Sequence, residues 1–387
     1  MRNAVIGLII GIVAGIVLGT TVIAPRLGTV SKQEIGLATK TAAPPETAQP
    51  KAVSTAIPPE PAVKKPTLHR INMASAYTEK LAPHGSLAKR LEQTVWRVSD
   101  GTLDLRFHPP GALVPAGDAL NAVVSGAIDS YFTDLDALSA LSPAVSLFAG
   151  PPFGNSVGAY LGWMADGGGH KAFEGMLSEM GLGGVVCGLV PNAGGGWFRK
   201  SLKTTDDLKG LNIRSSGTAA SLYKALGANV TDNGYGDTIV AMESGLIDGA
   251  ELSAPNVDLA LGAAHKGWTY YMPGWRTPAQ VFVLLMGHDK WQNLSDIQRS
   301  QITTACGDNV SHAIAQNESL QFAALKKITA KGVDIRAWPA EIKDAMQKAW
   351  QAEAKEIQQT NRPFAKALKS YRQFLKEQSI WEELSRR

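Results

Sequence analysis

Apolar and polar positions divide the chain into three stretches. From Ala4 to Ala24 there are 21 consecutive residues without a charge. As a helix that run would extend about 32 Å, enough to cross a bilayer core. Between Pro44 and Pro66 seven prolines mix with Ala, Thr, Lys and Glu. Too few large apolar groups are present there to offset ordering entropy, so a semi-extended spacer is expected. From Leu68 onward the periodicities of a folded domain begin. Leu103-Asp-Leu-Arg-Phe107 alternates as a strand does, and Leu87, Leu91, Val95 and Val98 repeat at helical spacing up to Ser99-Asp-Gly101. Strands and helices alternate to about residue 290, which predicts an α/β fold. Two long helical stretches follow, Ser295–Ala330 and Pro339–Arg387, the second interrupted near Pro363.

One segment occurs twice. Ala122-Val-Val-Ser-Gly-Ala-Ile-Asp-Ser130 matches Ala241-Met-Glu-Ser-Gly-Leu-Ile-Asp-Gly249 at five of nine positions. Each copy ends a helix pattern, places Gly126 or Gly245 at the expected C-cap, and leads into a short strand. Upstream of each copy lies another strand-like piece, Leu103–Phe107 and Leu211–Arg214. The repeat predicts two lobes built from one strand–helix–strand device, with a cleft between the carboxyl ends of their strands.

Composition narrows the possible functions. The 38 Lys+Arg against 34 Asp+Glu leave a charge of only +4, which excludes a nucleic-acid-binding surface as the main feature. Two cysteines exclude a disulfide scaffold and a Cys-rich metal site. Export would allow Cys187 and Cys306 to pair, but they lie far apart in sequence, and buried free thiols are the default expectation. The seven histidines are scattered without metal-type spacing, and no nucleophile–base arrangement is apparent. Gly167-Gly-Gly169 lacks the Lys-Ser/Thr of a phosphate-binding loop. Residues 1–27 read as a transmembrane anchor or as a cleaved signal segment, and either exports the rest of the chain. Residues 28–67 read as the linker.

The run Gly195-Gly-Trp-Phe-Arg-Lys200, then Thr205-Asp-Asp-Leu-Lys-Gly-Leu-Asn-Ile-Arg214, Leu226-Gly-Ala228, Gly236-Asp237, Ala241–Glu251 and Tyr270-Tyr-Met-Pro-Gly-Trp275 resembles a known family. In that order the runs are similar to the DctP-type solute-binding subunits of tripartite ATP-independent periplasmic (TRAP) transporters. The nearest subgroup binds 2-oxo acids and other monocarboxylates. Ser99-Asp-Gly101, Gly111-Ala-Leu-Val114 and Ser125-Gly-Ala-Ile-Asp129 fit as well, so the resemblance spans about residues 70 to 380. It implies a two-lobed periplasmic binding-protein fold with a hinge and long bracing C-terminal helices. Lobe one would take about residues 68–188 and parts of 280–340, lobe two about 189–279, and the helices about 340–387. It also implies capture of a small organic acid between the lobes, delivery to a sodium-coupled membrane permease, no catalysis, and a periplasmic location tethered to the inner membrane by residues 4–24. A homodimer through the C-terminal helix would be consistent with some relatives. The alternatives are a membrane-tethered ligand sensor and, less well supported, an exported enzyme on the same frame.

The same resemblance nominates site residues. Arg214, ending a strand in lobe two, matches the arginine that clamps a ligand carboxylate, a role suited to a rigid fork of donors. Glu251 matches an acidic residue beside the ligand that helps hold a cation. Na+ or Ca2+ is therefore the expected ion if one binds, with Gln280 as a second donor; no other cofactor is expected. The next position departs from the subgroup, with Leu252 in place of tryptophan. Trp197, Asn192 and Trp275 are candidate lining residues from lobe two. Tyr77, Tyr131 and Phe132 are candidates from lobe one, and Asp134 beside them sits poorly with an anionic ligand.

Overall fold

The structure is a computed structural model that describes residues 68–191, 194–274 and 279–385. The candidate anchor, the proline-rich linker, Asn192 and Trp275 lie outside the described residues. The described residues belong to one compact unit, Lys64–Arg387. They form two sheets flanked by helices.

The first sheet contains β1 (His69–Ser75), β2 (Leu103–His108), β3 (Ser130–Asp134) and β4 (Leu182–Pro191). The second holds β5 (Gly196–Phe198), β6 (Asn212–Arg214), β7 (Asn229–Thr231), β8 (Gly249–Ala250) and β9 (Thr269–Met272). The chain then returns as β10 (Ala279–Gly287) to the first sheet, and β11 (Asp334–Ala337) closes the edge of the second. Strand order is β2-β1-β3-β10-β4 in one and β11-β9-β5-β8-β6-β7 in the other. Read inward from β2 and from β7, the two orders follow one plan. Three parallel strands come first, and the fourth strand, β10 or β5, runs antiparallel to its neighbour.

The sequence explains these elements. The helix His84–Val98 buries Leu87, Leu91 and Val95, and it stops where Asp100 and Gly101 turn to positive φ. The Gly101 N–H then bonds back to the Trp96 carbonyl at 2.9 Å. Strand β10 reads Ala-Gln-Val-Phe-Val-Leu-Leu-Met-Gly and is buried at every position, as a central strand covered on both faces requires.

The repeat survives in atomic detail. In the first copy the Ile128 N–H bonds to the Ala122 carbonyl; in the second, the Ile247 N–H bonds to the equivalent Ala241 carbonyl. The Asp129 carboxylate accepts the Asn72 backbone N–H at 3.0 Å. The Asp248 carboxylate accepts the Asn212 backbone N–H at 2.9 Å. Each Asp thus ties the end of its copy to the neighbouring parallel strand. Gly126 and Gly245 take φ of 76° and 77°, a left-handed turn open to glycine without strain.

Helices join the two halves. The 35-residue helix Asp296–Ala330, about 52 Å long, starts at a capping box of Ser295 and Gln298. Ile302, Ala305 and Cys306 on it enter the core beneath the first sheet, while Ile328 enters the core beneath the second. Helix Ala340–Thr360 packs on Gly217–Ala225 of the second half, where Ser221 Oγ donates to Glu353 at 2.7 Å. Helix Arg362–Ser385 packs on the first half, with Trp163 Nε1 donating to Ser370 Oγ at 3.0 Å.

One expectation changes. Cys187 and Cys306 are not free thiols but a disulfide, with Cα atoms 4.2 Å apart. Strand β4 lies against the long helix, so residues separated by 119 positions in sequence become neighbours. Asp334–Ala337 pairs with β9 at the edge of the second sheet.

Candidate functional site

A cavity of about 450 Å³ opens between the ends of the two sheets. Tyr77, Tyr131 and Asp134 line it from the first half, Arg214, Tyr235 and Leu252 from the second, and Gln280 from β10. This is where the parallel strands β1, β3, β6 and β8 end, the position at which open α/β sheets expose backbone groups and turn residues to a ligand.

Arg214 ends β6 and is 8% exposed. Its Nε–H donates to the Asn233 carbonyl at 2.9 Å and Nη1 to the Glu251 carbonyl at 2.8 Å. Nη2 meets Asp232 Oδ1 at 3.4 Å. Its guanidinium carbon lies 5.3 Å from the centre of the Tyr235 ring. Three of five N–H groups are therefore spent on fixing the side chain, and two remain for a ligand. A guanidinium held this way is pre-organised for a carboxylate, and little rotamer entropy is left to lose.

Period-two alternation along the strands decides which neighbours share the cavity. Tyr131 and Thr133 face it; Phe132 between them points into the core, fully buried against Phe282. At the equivalent place in the second half, Leu252 faces the cavity and Glu251 turns away from it. The Glu251 carboxylate accepts Ser215 Oγ at 2.6 Å and the Tyr223 hydroxyl at 3.4 Å. Trp197 is likewise off the wall. It is fully buried in β5, stacked on Tyr270 with centroids 4.0 Å apart, and its Nε1 donates to Asp258 at 2.8 Å. Arg214, Tyr77, Tyr131 and Gln280 are thus brought together, whereas Trp197, Glu251 and Phe132 support the walls from behind.

Burial sets the protonation of this region. The Tyr77 hydroxyl donates to Asp134, and burial together with the Asp134 charge raises its pKa well above the usual tyrosine value. His84 is pushed down to about 3 by burial, so its ring is neutral. Its Nε2 lies 3.1 Å from Ser253 Oγ, which itself donates to Gln280 Oε1 at 2.9 Å. These contacts among His84, Ser253 and Gln280 tie the first half to the second. Asp258 is pushed up to about 7 by burial, against the hydrogen bonds it accepts from Trp197, Ser253 and Tyr270.

The two expected cation donors are already engaged within the protein. Both Glu251 oxygens already accept hydroxyls, and the Gln280 amide oxygen accepts Ser253. Calcium takes six to eight oxygens, and carbonyls, waters and a bound acid can supply part of them. Among the described residues no group of three or more His, Cys, Asp or Glu converges as a metal site.

Sequence reading missed Tyr235 and Asp136, both on the cavity wall. Tyr235 begins a helix directly after Asn233-Gly234, and only its contact with Arg214 marks it. A nucleophile spacing was also missed: Gly154-Asn-Ser-Val-Gly158 has the Gly-x-Ser-x-Gly form. Its context is wrong for catalysis, because a loop rather than a strand precedes Ser156. Ser156 Oγ instead caps helix Val157–Ala165 by accepting the Ala159 N–H at 3.2 Å.

Two sheets on one plan, a shared cavity at their strand ends and a fixed guanidinium in its wall define a two-lobed solute receptor. Residues 74–361 match the family described as bacterial extracellular solute-binding protein, family 7, and the chain belongs to this DctP family. It is a transport receptor, not an enzyme. A monocarboxylate 2-oxoacid-binding periplasmic protein of Nostoc sp. is 26% identical over 298 residues, covering 77% of this chain and 82% of that protein. A TRAP transporter solute-binding protein of Bordetella bronchiseptica superposes with a TM-score of 0.78 at 27% identity, over 83% of this chain and 96% of that one. That structure is a mixed-occupancy dimer with copurified calcium and picolinate. A TRAP periplasmic solute-binding protein of Colwellia psychrerythraea, with bound calcium and pyruvate, superposes with a TM-score of 0.77. At 23% identity, over 82% of this chain and 98% of that one, it speaks to the fold alone.

Proposed function

We propose that the chain captures a small organic acid, a 2-oxo acid or another monocarboxylate, in the cavity between its sheets and delivers it to a sodium-coupled TRAP permease. The observation that carries this reading is Arg214: buried, fixed by two carbonyls, and with two N–H groups unspent on the cavity wall. The ligands named for the Nostoc and Bordetella relatives support it. Binding energy would come from the charge-assisted pair in a site shielded from water, and closure of the halves would complete the shielding.

Thermal unfolding against a panel of small carboxylates tests the reading. A ligand that binds only the folded state raises the melting temperature. The expected result is a rise with at least one acid and none in Arg214→Ala; a rise that survives this substitution removes the clamp.

Residues 4–24 would hold the receptor at the membrane, as their uncharged length suggests. Membrane fractionation checks this, and a mature chain lacking that segment contradicts it. Pairing with a second copy is part of the same reading. Ile380, Trp381 and Leu384 are exposed near the end of the last helix and offer an apolar contact for it. Light scattering on the purified chain distinguishes dimer from monomer.

A further inference from the structure

The charges around the cavity do not suit a simple anion. Among the described residues that line it, the charged side chains are Arg214, Asp134 and Asp136, one cation against two carboxylates. Asp136 is balanced locally. A Cβ placed on Gly217 would come within 2.8 Å of Asp136 Oδ1, so this carboxylate lies at the N-terminus of helix Gly217–Ala225 and meets its partial positive charge. Asp134 is different. Its hydrogen-bond partner is the neutral Tyr77 hydroxyl, which satisfies an oxygen but cancels no charge.

Aromatic rings connect this carboxylate to the guanidinium. Tyr77, which holds Asp134, stacks with Tyr235 at 6.3 Å between centroids, and Tyr235 carries Arg214 over its ring. Tyr131 adds a third ring to the wall. Carboxylate and guanidinium thus stand at opposite ends of a tyrosine pair. A carboxylate beside aromatic faces is an environment that favours an alkylammonium, through charge and ring quadrupole together.

We propose that the solute is amphoteric, with a carboxylate on Arg214 and a cationic nitrogen held by Asp134 among the tyrosines. This rests on the organic-acid reading and narrows it. A plain monoanion would bring a second negative charge against an uncompensated Asp134. An amphoteric solute neutralises both ends of the cavity without a metal ion. Asp134 is then the residue that sets specificity.

Calorimetric titration of the full chain tests this with matched pairs: glycine and acetate, β-alanine and propionate, 4-aminobutyrate and butyrate, with pyruvate alongside. In at least one pair the aminated acid is expected to bind about tenfold or more tightly than its partner. Asp134→Asn should abolish that preference and leave the plain acid bound as well or better. The wild-type comparison decides on its own if the variant fails to fold. Tighter binding of plain or 2-oxo acids, or a preference untouched by Asp134→Asn, overturns the proposal. So does pyruvate binding that requires calcium and is lost in EDTA, since a metal would then supply the positive charge; the organic-acid reading would stand. Binding of no acid at all overturns both.

Discussion

The two halves share a scaffold and differ in what they present. Asn72 with Asp129 in one half, and Asn212 with Asp248 in the other, make the same side-chain-to-backbone tie. At the strand ends the equivalence breaks. Where β6 ends in Arg214, the matching position of β1 is Ala74; where β3 carries Phe132, the matching place after β8 is Glu251. One half thus offers Tyr77, Tyr131 and a carboxylate, the other a fixed guanidinium beside Tyr235. The repeated residues hold strands in register, and the residues that differ face the solute or brace those that do.

The largest expected effect removes the cation from this contrast. Arg214→Ala should weaken carboxylate binding by about 2–5 kcal/mol, thirtyfold to several thousandfold, with the fold intact by circular dichroism. Next comes a pH effect confined to the second half. Asp258 has an ordinary value of 3.8 when unfolded and about 7 when folded. Between those values the folded chain keeps a proton that the unfolded chain has lost. Stability therefore falls as pH rises through that window, by up to about 1.4 kcal/mol per pH unit, and levels off above it. Urea unfolding across pH should show this slope, and Asp258→Asn should flatten it.

The first half holds the disulfide between Cys187 and Cys306. Replacing both with alanine should cost about 2–4 kcal/mol in urea unfolding, without changing ligand affinity at 25 °C. The smallest effects compare the two ties directly. The Asp129 bond is partly buried and also pairs with Lys290 at 2.8 Å, so Asp129→Ala should cost about 1–3 kcal/mol. The Asp248 bond is exposed, where water can replace it, so Asp248→Ala should cost about 0.5 kcal/mol or less. Equal costs would mean that exposure does not govern these ties.

These differences also mark how far the sequence could be read. The helix His84–Val98, the strands around Leu103 and Leu211, and the repeat at 122–130 and 241–249 were legible because period and capping glycines are local signals. Arg214 was legible because it ends a strand inside a recognisable run. Glu251 was a candidate because the resembling subgroup carries an acidic residue there, and Trp197 because it lies in the Gly-Gly-Trp-Phe run. Which face of a strand a side chain takes depends on pairing, and the pairing of β5, β6 and β8 turns both residues inward. The disulfide was invisible for a related reason: the packing of β4 on the long helix has no local signature.

Solute capture here depends on a carboxylate seated on Arg214 between the two sheets. A crystal structure of the chain with the acid that raises its melting temperature most tests this directly. A carboxylate oxygen is expected at about 2.7–2.9 Å from an Arg214 Nη atom, inside the cavity bounded by Tyr77, Tyr131 and Leu252. Density for the acid elsewhere, with Arg214 still bonded only to its protein partners, would contradict it.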